Sequence, residues 1–191
     1  MKIENEFMVA QPPDRAFETL FDVPLVASCV PGAELLDGIA PPVFRGRISV
    51  KLVPVAMRFG GTVTVVQRDP ATRTGRLQAK GDDDKGRGSA HATTLFRIEA
   101  VPSGSRVLLT TELTLSGLAA QYGRASGVVR VLANEVVNAF ATNLRRRLEA
   151  GPDQAAAAQP QALSAIGLVG AAAKRWWSGT DNVSARVSED R

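Results

Sequence analysis

The chain has 191 residues, a net charge of +4, 45% apolar residues and only 5% aromatic ones, which fits one domain plus an appendage, with a core built from aliphatic side chains. The mild charge, with no basic stripe interleaved with aromatics, argues against a nucleic-acid partner. No run reaches the roughly 18 apolar residues of a membrane span, "MKIENEFMVA" has no apolar stretch of an export signal, and the lone Cys29 allows no internal disulfide and fits a reducing cytosol.

Residues 2–9 alternate, with Ile3, Phe7 and Val9 against Lys2, Glu4 and Glu6, and Asn5 interrupts the apolar side once; this reads as a strand with one buried face. "PPDRAFETLFD" starts a helix at Pro13 and Asp14 with an apolar face of Phe17, Leu20 and Phe21. "VPLVASCVPGAELLDG" reads as a second, short helix that stops at Pro31-Gly32. The period then changes to two, and five strands follow. Their inward faces carry Phe44, Ile48, Val50 and Leu52, then Met57, Phe59, Val63 and Val65, then Leu77 and Ala79. Ala90, Ala92, Phe96 and Ile98 come next, and last Val107, Leu109, Leu113 and Leu115. The links "DPATRTG", "GDDDKGRG" and "VPSGS" are turn-rich, so the strands form an antiparallel meander.

From Gln121 to about Glu149 the apolar residues Ala125, Val129, Leu132, Val136, Phe140 and Leu144 return at helical spacing. Arg145-Arg146-Arg147 complements the negative end of that helix, and Gly151-Pro152 opens a low-complexity linker. The expected domains are therefore a folded unit over residues 1–149, a linker over 150–162, a helix over 163–177 and a polar tail over 178–191. The class is α+β: one antiparallel sheet with one apolar face, and one long helix laid across its concave side.

A curved sheet and one helix, lined by Val, Leu, Ala and Thr, leave a space that these side chains fill poorly. Interiors pack densely, so the space either holds a ligand or closes into a packed aliphatic core. The candidate lining is Phe44, Ile48, Val50, Met57, Phe59, Val63, Val65, Leu77, Ala92, Phe96, Leu113 and Leu115 from the strands, and Val26, Val30, Val129, Leu132 and Val136 from the helices, with Tyr122 at the rim.

Candidate chemistry is sparse. His91 falls on the face opposite Ala90 and Ala92, and no motif places a nucleophile beside it. Cys29 reads as a small buried hydrophobe, and one His with one Cys makes none of the usual zinc ligand sets. "GDDDKGRG" lacks EF-hand spacing and reads as a solvated hairpin tip. No catalytic or metal-binding residue is expected.

"CVPGAELL", "FGGTVTVVQRD", "GDDDKGRGSAHA" and "GLAAQYGR" together resemble the CoxG family, the G subunits of carbon monoxide dehydrogenase, over about residues 1–149. That family is a branch of the START-like (SRPBCC) helix-grip superfamily. Tyr122 stands where it often has Phe. The resemblance implies a Bet v-like sheet wrapped around a C-terminal helix, an apolar cavity, and a partnership with a molybdenum-containing carbon monoxide dehydrogenase.

On a helical wheel at about 100° per residue, Leu163, Ala165, Ile166, Val169, Ala172, Ala173, Trp176 and Trp177 share one half of the segment 163–177, and Lys174 and Arg175 leave it. Such a helix is too short to cross a bilayer and suited to lie in its interface, with Leu163, Ile166, Val169, Trp176 and Trp177 in lipid and Lys174 and Arg175 on phosphates. Docking on a protein is the other reading. The resulting expectation is a non-catalytic carrier, attached peripherally to the inner face of the cell membrane. It would bind an isoprenoid quinone such as menaquinone, or another apolar lipid, and deliver it to the dehydrogenase. The quinone headgroup would sit near the cavity mouth by Tyr122 or "ASCVPG", with no covalent cofactor. The alternatives are a recruitment or maturation factor that transfers no ligand, and a cyclase- or hydrolase-like enzyme.

Overall fold

The computed structural model describes residues 1–36, 41–52, 55–124, 126–150 and 163–164, and for residues 52, 122–124, 126 and 163–164 the backbone alone. The strands are β1 (Lys2–Val9), β2 (Ala33–Leu36), β3 (Val43–Leu52), β4 (Val55–Asp69), β5 (Thr74–Asp83), β6 (Ser89–Val101) and β7 (Gly104–Leu115), and the helices are α1 (Pro13–Phe21), α2 (Val23–Cys29), α3 (Gly117–Arg124) and α4 (Ser126–Ala150). The seven strands form one antiparallel sheet in the order β1-β7-β6-β5-β4-β3-β2. A two-residue β8 (Leu163–Ser164) runs parallel to β3, opposite Val50 and Lys51.

Local chemistry explains the first helices. Pro13 opens α1, where its missing N–H costs nothing, and Ala16, Phe17 and Leu20 are its buried face. The Asp22 carboxylate then accepts the Leu25 N–H at 3.0 Å and caps α2. α2 ends at Cys29, and the Asn143 amide of α4 donates to the Cys29 carbonyl at 3.0 Å, satisfying one of the acceptors a helix end leaves open.

Two expectations are corrected here. "AELL", which follows the expected helix stop at Pro31-Gly32 and carries no expected strand, is the edge strand β2, paired with β3 from Ala33↔Ile48 to Leu36↔Arg45; four residues are too few for a period of two to declare itself. The long helix is preceded by α3, which begins at Gly117 rather than Gln121. Gly117 has φ +57°, and a Cβ there would run into the Arg87 carbonyl oxygen, so the turn off β7 needs glycine.

The sheet curls where side chains are absent. Gly46, Gly61 and Gly81 stand in one cross-strand row, and a Cβ on Gly61 would collide with the Lys80 carbonyl oxygen and Gly81 Cα. A bulge between Val65 and Gln67 bends β4 further.

The core is in two parts. One cluster, under α1, α2 and the C-terminal half of α4, joins Phe7, Val9, Phe17, Leu20, Cys29, Phe96, Ile98, Val107, Phe140 and Leu144. Its rings meet edge-on, Phe7 to Phe140 at 5.4 Å and Phe17 to Phe21 at 4.8 Å between centroids. The other, beside α3, holds Met57, Phe59 and Ala119, flanked by Ile48, Val55, Ala90 and Leu115.

Candidate ligand-binding site

Between the two clusters the inward face of the sheet changes character. Strand register aligns Phe44, Val63, Ala79, Ala92 and Leu113 in one cross-strand row, and Val65, Leu77, Thr94 and Thr111 in the next. All nine are only partly buried, although they point the same way as Phe96, Ile98 and Val107, which are buried. From α4, Val129 is buried and Leu132 and Val136 are partly so. The buried rings and Met57 sit in the two end clusters, and the middle rows between them mix Ala, Val and Thr with Phe44, Leu77 and Leu113.

The sequence-predicted lining therefore separates. Phe44, Val50, Val63, Val65, Leu77, Ala92, Leu113, Leu132 and Val136 keep accessible surface. Met57, Phe59 and Phe96 are core members, Val26 and Val30 pack on the first cluster, and Ile48 and Leu115 pack on the second. The side chain of Tyr122 lies outside the described residues, as does most of the tail segment that carries Ile166, Val169, Lys174, Arg175, Trp176 and Trp177. Leu163 and Ser164 are strand β8, not the first residues of a helix.

Polar residues that sequence reasoning misses lie on the same face. The Thr94 and Thr111 hydroxyls are 3.0 Å apart. Asn5, the interruption in the first strand, donates from Nδ2 to Asn134 Oδ1 on α4 at 2.6 Å. Asn5 is visible in the sequence as a break in alternation, but its partner lies 129 residues away.

A depression of about 620 Å³ is lined mostly by residues of the sheet's other face, Glu4, Glu6, Thr74, Leu95, Arg97, Leu108 and Thr110, and also by Asn5, Phe96 and Leu109. A smaller one of about 240 Å³ lies between Met8 and the α4 residues Ala141, Leu144 and Leu148. Neither is lined by the nine residues of the two middle rows.

The hairpin "GDDDKGRG" is exposed at Asp82, Asp84, Lys85 and Gly86, as expected of a solvated tip, but it encloses Asp83. The Asp83 side chain is buried, and Arg87 donates to both its oxygens, at 2.7 and 2.8 Å. The N–H groups of Arg58, Lys85 and Arg87 add further bonds. The Arg87 guanidinium, helped by these N–H groups and opposed by burial, holds the carboxyl well below the usual carboxylate range. The Arg87 carbonyl in turn accepts the Leu118 N–H of α3 at 2.6 Å, and the Ser89 and Ser116 hydroxyls meet at 2.6 Å. "GDDDKGRGSA" and "SGLAAQYGR" are thus one mechanical unit that sets where α3 leaves the sheet.

His91 is exposed, on the face away from the band. Cys29 is 2% exposed, and burial pushes its thiol up, partly offset by the Ser28 hydroxyl, so it has the character of a core side chain. Among the described residues no group of three His, Cys, Asp or Glu could hold a metal ion, and no helix is long and apolar enough to cross a membrane.

The profile of the carbon monoxide dehydrogenase G-subunit (CoxG) family matches residues 6–149. The chain belongs to that family. Its domain is a helix-grip fold, similar to several solved structures. A conserved protein from Geobacillus kaustophilus is 14% identical, with 78% of this chain and 96% of that one covered and a TM-score of 0.66. A Thermus thermophilus protein is 19% identical, with 80% and 100% covered and a TM-score of 0.55. The Zhui aromatase/cyclase from a Streptomyces species is 16% identical, with 78% and 93% covered and a TM-score of 0.54. These likenesses concern the fold. No curated protein sequence matches the chain. The family name carries an association with carbon monoxide dehydrogenase.

Proposed function

We propose that the protein is a non-catalytic carrier that holds an isoprenoid quinone or a similar apolar lipid against the band between its two core clusters and delivers it to the molybdenum-containing carbon monoxide dehydrogenase. The observation that carries this reading is the band itself: inward-facing Val63, Val65, Leu77, Ala92 and Leu113 keep accessible surface in the centre of a two-layer domain. Unfilled apolar surface there forfeits dispersion contacts and hydrophobic stabilisation that a bound hydrocarbon restores. The choice of quinone rests on the family's partner, because a soluble dehydrogenase must pass electrons to a pool dissolved in the membrane. The segment 165–177, with both tryptophans and the Lys174-Arg175 pair, is the proposed peripheral membrane contact.

Organic extraction of the full chain purified from its native host, followed by mass spectrometry, is expected to yield a quinone or other lipid in near-equimolar amount. Protein that is empty under every mild purification sinks the carrier reading and leaves recruitment or maturation. Removing residues 165–191, which spares β8, is expected to abolish sedimentation with anionic vesicles while leaving the melting temperature unchanged. Continued pelleting of the shortened chain would show that the membrane contact lies elsewhere.

A further inference from the structure

The band is apolar except at one place. Thr94 and Thr111 face each other across β6 and β7, with their hydroxyls 3.0 Å apart. Thr111 is also opposite Ile3, which makes Asn5 its diagonal neighbour on β1, about 7–8 Å away by ordinary sheet geometry. Half-buried Asn5 is bonded to exposed Asn134 of α4. Two hydrogen-bonded side-chain pairs thus converge on the β1–β7–β6 side of a face otherwise lined by Val, Leu, Ala and Phe.

Counting donors shows what is left over. Each hydroxyl has one proton and two lone pairs. The Thr–Thr bond uses one proton, so one remains for a third group. The Asn–Asn bond likewise leaves amide N–H groups and a carbonyl unspent on each other. The neighbouring strand backbones are already paired in the ladder. On the side away from α4 the face continues through Ala92, Ala79 and Val63 to Phe44. From β7 to β3 that row crosses four inter-strand steps of about 4.8 Å, or about 19 Å.

We infer that Thr94 and Thr111, with Asn5 and Asn134 beside them, hold an oxygen of the ligand, so that the bound molecule is an amphiphile with a carbonyl or hydroxyl group, oriented with that group against β6 and β7 and its apolar body along Ala92, Ala79 and Val63. This rests on the carrier reading and adds the ligand's polarity and direction to it.

The test uses the full chain stripped of lipid and two probes of equal tail length, a decyl-substituted 1,4-benzoquinone and decylbenzene, with affinities read by calorimetry. The wild type is expected to prefer the quinone. In T94V/T111V, which keeps shape and removes both hydroxyls, that preference should shrink about fivefold, with decylbenzene bound as before, and T94S/T111S should restore it. The single T94V variant repeats the measurement if the double one does not fold. A preference unmoved by the valines overturns the inference while the carrier reading stands, as does a wild type that takes decylbenzene as tightly as the quinone. Failure of the wild type to bind either probe defeats the carrier reading and this inference with it.

Discussion

Asp83 departs furthest from what its neighbours in sequence advertise. Three adjacent carboxylates between glycines and Lys85 look solvated, yet Asp82 and Asp84 are exposed and Asp83 is buried. Replacing it by Asn keeps the shape and removes the charge that Arg87 answers. D83N should lower the melting temperature by several degrees and loosen α3, whose first turn leans on the Arg87 carbonyl. The pH dependence has a definite sign. Because the folded carboxyl titrates below its unfolded value, its contribution is complete above the ordinary aspartate pKa of about 4 and fades as pH falls towards the folded value. Acid unfolding of D83N, followed by circular dichroism, should lack that component; identical acid profiles for the two proteins would contradict the clamp. Phe140 is a simpler case. It is buried and meets Phe7 edge-on, so Phe140→Ala should cost about 3–5 kcal/mol in urea unfolding, and a loss below about 1 kcal/mol would place α4 incorrectly on β1.

Among the elements, the strand faces were legible because alternation is a property of neighbouring residues. Phe7, Phe96, Ile98 and Val107 are buried where the period of two puts them. β2 and α3 were not legible, since each depends on a partner distant in sequence: β2 on β3, and α3 on the "GDDDKGRG" hairpin. The open band gives the elements a test of their own. Ala92 pairs with Ala79 on one side and Leu113 on the other, and all three keep accessible surface. Overpacking a filled core costs about 1–3 kcal/mol. Ala92→Phe should cost less than that and reduce bound lipid at least tenfold in extracts; a large destabilisation would mean the band is already packed.

For the molecule as a whole, a ligand that binds only the folded state adds stability by mass action, about 2.7 kcal/mol at a free concentration 100 times its Kd. Lipid-stripped protein should therefore melt at a lower temperature than protein as purified, and regain the difference when the quinone probe is added in excess. A melting curve indifferent to extraction and re-addition would argue against a native ligand in the band. The sequence by itself determined the class, the meander, the inward faces and the family, because these are written in periods of 2 and 3.6 residues and in short motifs. Only the tertiary structure decided which inward side chains are packed and which stay open, that Asp83 is enclosed, that Asn5 meets Asn134, and that Leu163 and Ser164 return to the edge of β3. Each of these depends on the distance between residues far apart in the chain, and no local pattern encodes that distance.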